Sequence, residues 1–163
     1  MKLIAQVKLL PTPEQHDALK RTLETANHAC NLISETAWET GTFRQYSLHK
    51  LVYHPVRAET GLSAQMVVRC IAKVADAYKL DRITPRTFKP HGSIAYDDRI
   101  LSWRLADQTV SIWTVDGRIS LPFVGGRKQR ELLTARQGET DLVYRNGEFY
   151  LFAVCNVEEP PVA

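Results

Sequence analysis

The spacing of apolar residues changes twice along this chain, and that change constrains the fold more than any motif. In "LIAQVKLL", Leu3, Ala5, Val7 and Leu9 alternate with Ile4, Gln6 and Lys8, the period of a half-buried strand that Pro11 ends. The next stretch, "PTPEQHDALKRTLETANHACNLISETAWETG", sets Leu19, Leu23, Ala26, Cys30, Ile33 and Ala37 at steps of 4, 3, 4, 3 and 4, so one stripe of a long helix is buried. After "ITPRTFKPHG" the chain reads as short strands to its end.

Local chemistry marks the boundaries. Thr12 is placed to cap the long helix, Pro13 suits its first position, and Gln15 completes a Thr-x-x-Gln capping box, while Gly41 ends it. A second helix is expected from Ser47 in "SLHKLVYH", stopping before Pro55, because a proline pushes its predecessor out of the helical region. A third begins at Ser63, with Val67, Ile71, Val74 and Tyr78 inward and Gln65, Arg69 and Lys73 on the opposite face. Six strand-like segments follow, "SIAYD", "RILSWRL", "TVSIWTV", "RISLPFV", "DLVYR" and "EFYLFAVCNV", with a short helix in "GRKQRELLTARQG" between the fourth and fifth. Asp116-Gly117 and Asn146-Gly147 are two-residue hairpin signals. The expectation is an α+β chain: a small antiparallel β-barrel with a three-helix unit inserted after its first strand.

The last hairpin carries apolar residues on both faces. Leu142, Tyr144, Phe149, Leu151, Ala153 and Cys155 share one, and Val143, Tyr150, Phe152 and Val154 share the other. An antiparallel sheet usually shows one face to water, so a cover is expected on the outside, either the helices or a further domain.

At 163 residues the chain can bury a genuine core in one domain or two small ones. Cys30, Cys70 and Cys155 lie apart in apolar contexts, which suits buried thiols in a reducing compartment, and no stretch is long and apolar enough for a membrane span. A cytoplasmic protein is expected. No nucleophile elbow, phosphate-binding glycine loop or paired metal-ligand spacing is present, so neither a catalytic residue nor a metal ligand is expected. Asp97 and Asp98 read as a tight turn, and the tryptophans Trp38, Trp103 and Trp113 as core residues.

Net charge is only +3, but the cations are grouped. From Arg82 to Tyr96 there are Arg82, Arg86 and Lys89 and no acid, and from Arg127 to Arg136 four cations, Arg127, Lys128, Arg130 and Arg136, face one carboxylate, Glu131. Such runs attract phosphates, and Gly125-Gly126 ahead of a helix start would let a backbone approach closely.

Three stretches taken together, "LIAQVKLLPTPEQHDALKRTLETANHACNLI", "LSAQMVVRCIAKVADAYK" and "GETDLVYRNGEFYLFAVCNVEEP", resemble the N-terminal half of TnpB, the family of transposon-encoded RNA-guided nucleases related to type V CRISPR effectors. The resemblance implies residues 1–11 as the first strand of a wedge (WED) barrel, 12–85 as a recognition (REC) helical unit, 86–157 as the rest of the barrel, and 158–163 as a linker toward a RuvC-like nuclease domain. It implies a lobe that holds guide RNA and a short motif of the target DNA, with no cofactor of its own. The family's catalytic acids have no counterpart here, so cutting is not carried over, and a RuvC-like domain is implied in cis or in trans. By element order, Ser47, His49, Lys50, Tyr53, Ser63, Gln65 and Arg69 would face the DNA motif and Arg82, Arg86, Lys89, Arg127, Lys128 and Arg130 would track RNA, with Lys73 and Arg136 also expected to bind nucleic acid. The alternative is a protein-interaction module that docks a partner chain through the apolar hairpin face.

Overall fold

The computed structural model describes residues 1–158; residues 159–163, most of the expected linker, lie outside the described residues. The chain is α+β and divides into two compact units, one made of Met1–His16 with the residues from Ala95 on, the other of Asp17–Ile94.

The first unit is an antiparallel, nearly closed seven-stranded barrel, with β1 (Lys2–Leu9), β2 (Ile94–Tyr96), β3 (Leu101–Arg104), β4 (Thr109–Thr114), β5 (Gly117–Val124), β6 (Arg136–Arg145) and β7 (Glu148–Asn156). Their order is β2-β6-β7-β1-β5-β4-β3. Edge strand β2 reaches across to β4, next to the other edge strand β3, where the Tyr96 hydroxyl donates to the Trp113 carbonyl at 3.0 Å. Inside, Ala5, Val7, Leu9, Val110, Ile112, Leu121, Phe123, Leu142, Phe149 and Leu151 are buried, as their alternation requires.

The sheet parts at one place. β1 pairs with β7 from Lys2 to Lys8 but with β5 only at Lys8 and Leu9. The short helix α4 (Arg127–Leu133) bridges the gap, its Gln129 side chain accepting from the Gln6 N–H at 2.7 Å. Gly125 lets the chain turn in this close, since a Cβ there would stand 2.9 Å from Val7 Cγ1. Gly125→Ala is expected to lower stability by about 1–3 kcal/mol through overpacking, read as a lower denaturant midpoint at unchanged slope.

Turn chemistry explains the hairpins and one shift of register. Asn146 at φ 51° and Gly147 at φ 81° form the primed turn that joins β6 to β7. The β4–β5 turn is one residue off the expected position. Thr114 pairs with Gly117, so Val115-Asp116 forms the tip and Gly117, at φ 106°, closes it. β6 also starts earlier than "DLVYR": a register shift between Arg136 and Thr140, with Gly138 at φ 81°, adds a bulged first half.

The second unit holds most of α1 (Pro13–Thr40), α2 (Gln45–Thr60) and α3 (Ala64–Leu80). The capping box forms as expected: Gln15 N donates to Thr12 Oγ1 at 3.2 Å and Thr12 N to Gln15 Oε1 at 3.0 Å. Gly41, at φ 65°, ends α1, and Thr42 N reaches back to the Ala37 carbonyl at 3.0 Å. α3 follows its sequence closely, with Ser63 capping Met66 N and Val67, Ile71, Val74 and Tyr78 buried.

α2 departs from expectation at both ends. It starts at Gln45 and runs through Pro55 to Thr60. Leu48, Val52 and Val56 fall at intervals of four on its buried side, and burying Val56 offsets the proline's missing N–H and its ring clash, about 3 kcal/mol.

Segment 86–92, expected with the barrel, folds with the helices instead. A second, polar stripe of α1 holds it. The Ser34 hydroxyl donates to the Arg86 carbonyl, Asn31 exchanges two hydrogen bonds with the Phe88 backbone at 3.1 and 2.8 Å, and Asn27 donates to the Pro90 and Gly92 carbonyls at 3.2 and 2.9 Å. Asn27, Asn31 and Ser34 stand four and three residues apart, so they face one way and read successive peptide groups of an extended strap.

Candidate nucleic-acid interface

The exposed side of α2 follows from its buried one. With Leu48, Val52 and Val56 inward, Tyr46, Lys50, Tyr53 and Arg57 form an outward stripe at steps of 4, 3 and 4. Tyr46 is 74% exposed and carries the Lys50 ammonium 4.5 Å from its ring centre. Tyr53 stacks on His49 with centroids 4.7 Å apart and planes 12° from parallel. The helix has no acid before Glu59. Lys50 and Tyr53 were anticipated; Tyr46 and Arg57 were not, because the expected helix began and ended short of them.

Gln65, Arg69 and Lys73 share a face of α3, but that face is half-buried rather than open. Lys73 is spent within the fold: its ammonium donates to Asn27 Oδ1 and the Ser93 carbonyl, each at 2.8 Å, beside the Phe88 ring. The cations of the strap differ among themselves. Arg86 pairs with Asp81 at 3.1 Å, and Arg82 donates to the Tyr78 carbonyl at 3.2 Å while lying over the Phe43 ring. The Ile83 N–H, then the Thr84 hydroxyl and Arg86, hold the Asp81 carboxyl below its ordinary range. Lys89 is exposed and makes no ion pair among the described residues.

In the barrel unit, Arg127 pairs along α4 with Glu131 at 3.1 Å, whereas Lys128 and Arg130 are exposed with no ion pair among the described residues. α4 has only seven residues, and the close approach expected of Gly125 toward a phosphate is made toward Val7. Arg136 crosses to Asp98 at 2.7 Å with only 22% of its side chain exposed, which makes it a structural cation. Asp97 accepts from the Arg99 N–H at 3.0 Å, the self-bonding turn its sequence suggested. Among the described residues no cluster of three or more His, Cys, Asp or Glu could hold a metal, and no helix is long and apolar enough to cross a membrane.

Of the three tryptophans expected in the core, only Trp103 turns to the inner face, opposite buried Val110. Trp38 is 39% exposed near the end of α1; Trp103 is half-buried against Phe123; Trp113 alternates with buried Ile112 and Thr114 and so belongs to the outer face. The cysteines are buried thiols, but two of them meet across α1 and α3: Cys30 Sγ faces the Cys70 carbonyl at 3.9 Å, and Cys70 Sγ faces the Ala26 carbonyl at 3.5 Å. Hydrogen bonding with Cys30, then burial, pushes the Cys70 thiol up.

Fold and surface together define an α+β chain with an antiparallel barrel, a helical unit, and cations gathered on α2, on the strap and around β3 to α4. No protein-family model matches the chain, and no curated protein matches its sequence.

Proposed function

We propose that this chain is the nucleic-acid-binding lobe of a TnpB-like RNA-guided DNA endonuclease, its barrel corresponding to a WED domain and its helices to a REC unit. On this reading it binds a guide-RNA scaffold and a short target-adjacent DNA motif, does no cutting and carries no cofactor of its own. It acts in the cytoplasm with a RuvC-like domain in cis or in trans. The observation that carries the reading is the α2 stripe, where aromatic rings alternate with cations over three turns without a carboxylate. Cations supply attraction to phosphates, and the rings supply stacking or groove contacts that a merely solvated helix has no use for.

The test is binding of structured RNA and of duplex DNA at two ionic strengths. With about four phosphates contacted, raising salt from 50 to 200 mM should weaken duplex binding by roughly two decades. Lys50→Glu with Arg57→Glu should weaken it by about tenfold or more. Binding that ignores both salt and these changes sinks the proposal.

One observation favours a second reading, a docking site for a partner protein. On the outer face of β1 and β7, Ile4 is 47% exposed opposite half-buried Val154, next to Phe152 and Tyr150. Its rim is polar, with Lys8 paired to Glu148 at 2.8 Å and the Arg145 guanidinium over the Phe152 ring. Tyr150→Ser with Phe152→Ser should abolish assembly with a nuclease partner and spare RNA affinity if this face docks one.

A further inference from the structure

We propose that the outward face of β3, β4 and β5 is a seat for single-stranded RNA, with hydroxyls and arginines holding the sugar-phosphate chain and Trp113 offering a stacking surface. The inference rests on the nucleic-acid reading above, but it concerns a face of the barrel unit whose arginines, Arg104 and Arg118, were not among the cations expected on sequence grounds.

The register builds the seat. Ser102 is paired with Ser111, and Ser111 with Ser120, so three serines form one row across three adjacent strands. Buried Leu101, Val110, Ile112 and Leu121 fill the alternate positions, which sends the serine row outward. Arg118 lies over this row: its Nε donates to Ser111 Oγ at 2.7 Å and one terminal nitrogen donates to Ser102 Oγ at 2.6 Å. A hydroxyl oxygen that accepts from a guanidinium keeps its own proton for another acceptor. Both serines therefore present O–H donors beside a fixed positive charge, an arrangement suited to an oxyanion.

Charge selects the occupant. No strand of the three carries an acid, while Arg104 stands exposed at the end of β3 and Arg118 at the start of β5. Trp113 is the cross-strand partner of Arg118, so an aromatic surface adjoins the cationic row. A polyanion with flat bases satisfies all three features, and a single strand exposes those bases where a duplex does not. The serine row favours RNA, because a hydroxyl that donates and accepts matches the 2′-hydroxyl.

The experiment measures anisotropy of fluorescein-labelled oligouridine RNA, and of the thymidine DNA of equal length, with the full chain at 50 and 200 mM salt. Expected are tighter binding of RNA than of DNA, a loss of about tenfold or more for Arg104→Glu with Arg118→Glu, and a salt slope shallower by roughly 1.4 for the two contacts removed. Ser111→Ala with Ser120→Ala, which leaves the charge in place, should erase most of the RNA preference and guards against a folding defect in the arginine variant. If the unaltered chain binds neither RNA nor duplex DNA, the broader reading falls and this one with it. RNA bound with unchanged affinity by both sheet variants overturns this inference alone. So does equal affinity for RNA and DNA, or displacement of the RNA by polyglutamate at matched charge, which would mark an acidic protein's site.

Discussion

Asn27→Leu is expected to destabilise the helical unit by about 3 kcal/mol and to release the strap from α1. The side chain is fully buried and uses its whole capacity: Nδ2 donates to the Leu23, Pro90 and Gly92 carbonyls at 2.9, 3.2 and 2.9 Å, and Oδ1 accepts from the Lys73 ammonium at 2.8 Å. Leucine matches the volume and removes every bond. Two strap carbonyls would then lack a donor and a half-buried ammonium would lose an acceptor, at about 1–3 kcal/mol per stranded group with partial relief from water. Chemical denaturation measures the loss, and hydrogen exchange locates it: the Phe88 amide, which donates to Asn31 Oδ1, should lose protection before the amides of α3 do. A variant as stable as the parent, with Phe88 still protected, would show that the polar stripe of α1 does not hold the strap. Lys89 rides on that strap, so RNA affinity should fall as well if the segment contributes to binding.

Phe149→Ala should cost more, about 3–5 kcal/mol, because an aromatic side chain is deleted where neighbours cannot collapse into the space. Phe149 has no exposed surface, and its ring meets His16 edge-on at 5.0 Å and Tyr144 edge-on at 4.7 Å. The hairpin tip depends on the same packing, since His16 Nε2 is 2.7 Å from the Gly147 carbonyl. Phe152→Ala offers the matched control. It lies on the outer, half-buried face of the same strand, and its removal should cost about 1 kcal/mol or less. Equal losses in the two variants would mean that the two faces of β7 are not distinguished as inner and outer.

Much of the fold was legible because its determinants are neighbours in the chain. The Thr12–Gln15 box, the Gly41 and Asn146-Gly147 turns and the stripes of α1 and α3 depend on residues three or four apart, or adjacent, and each formed as its chemistry required. Pro55 was misjudged for the opposite reason. Its local preference is real, but the burial of Val56, which only packing reveals, outweighs it. The candidate interface was legible only in composition. Cations could be counted in the sequence, yet Lys73, Arg86 and Arg136 turned out to serve Asn27, Asp81 and Asp98, while Arg104 and Arg118, isolated among apolar residues, stand on an open face.

The polar stripe of α1 and the serine row of the sheet share one property that hides them from sequence reading. Asn31 and Phe88 lie 57 residues apart, and Ser102, Ser111 and Ser120 meet only through strand register. Sequence alone determined the order and type of the helices and strands, the apolar stripes of α1 and α3 and the grouping of cations into two runs, since these follow from backbone sterics, side-chain period and composition. Tertiary structure alone decided which polar groups are consumed inside the fold and which remain for a ligand. A hydrogen bond forms with whatever chain closure brings within about 3 Å, and that distance is not written in the order of residues.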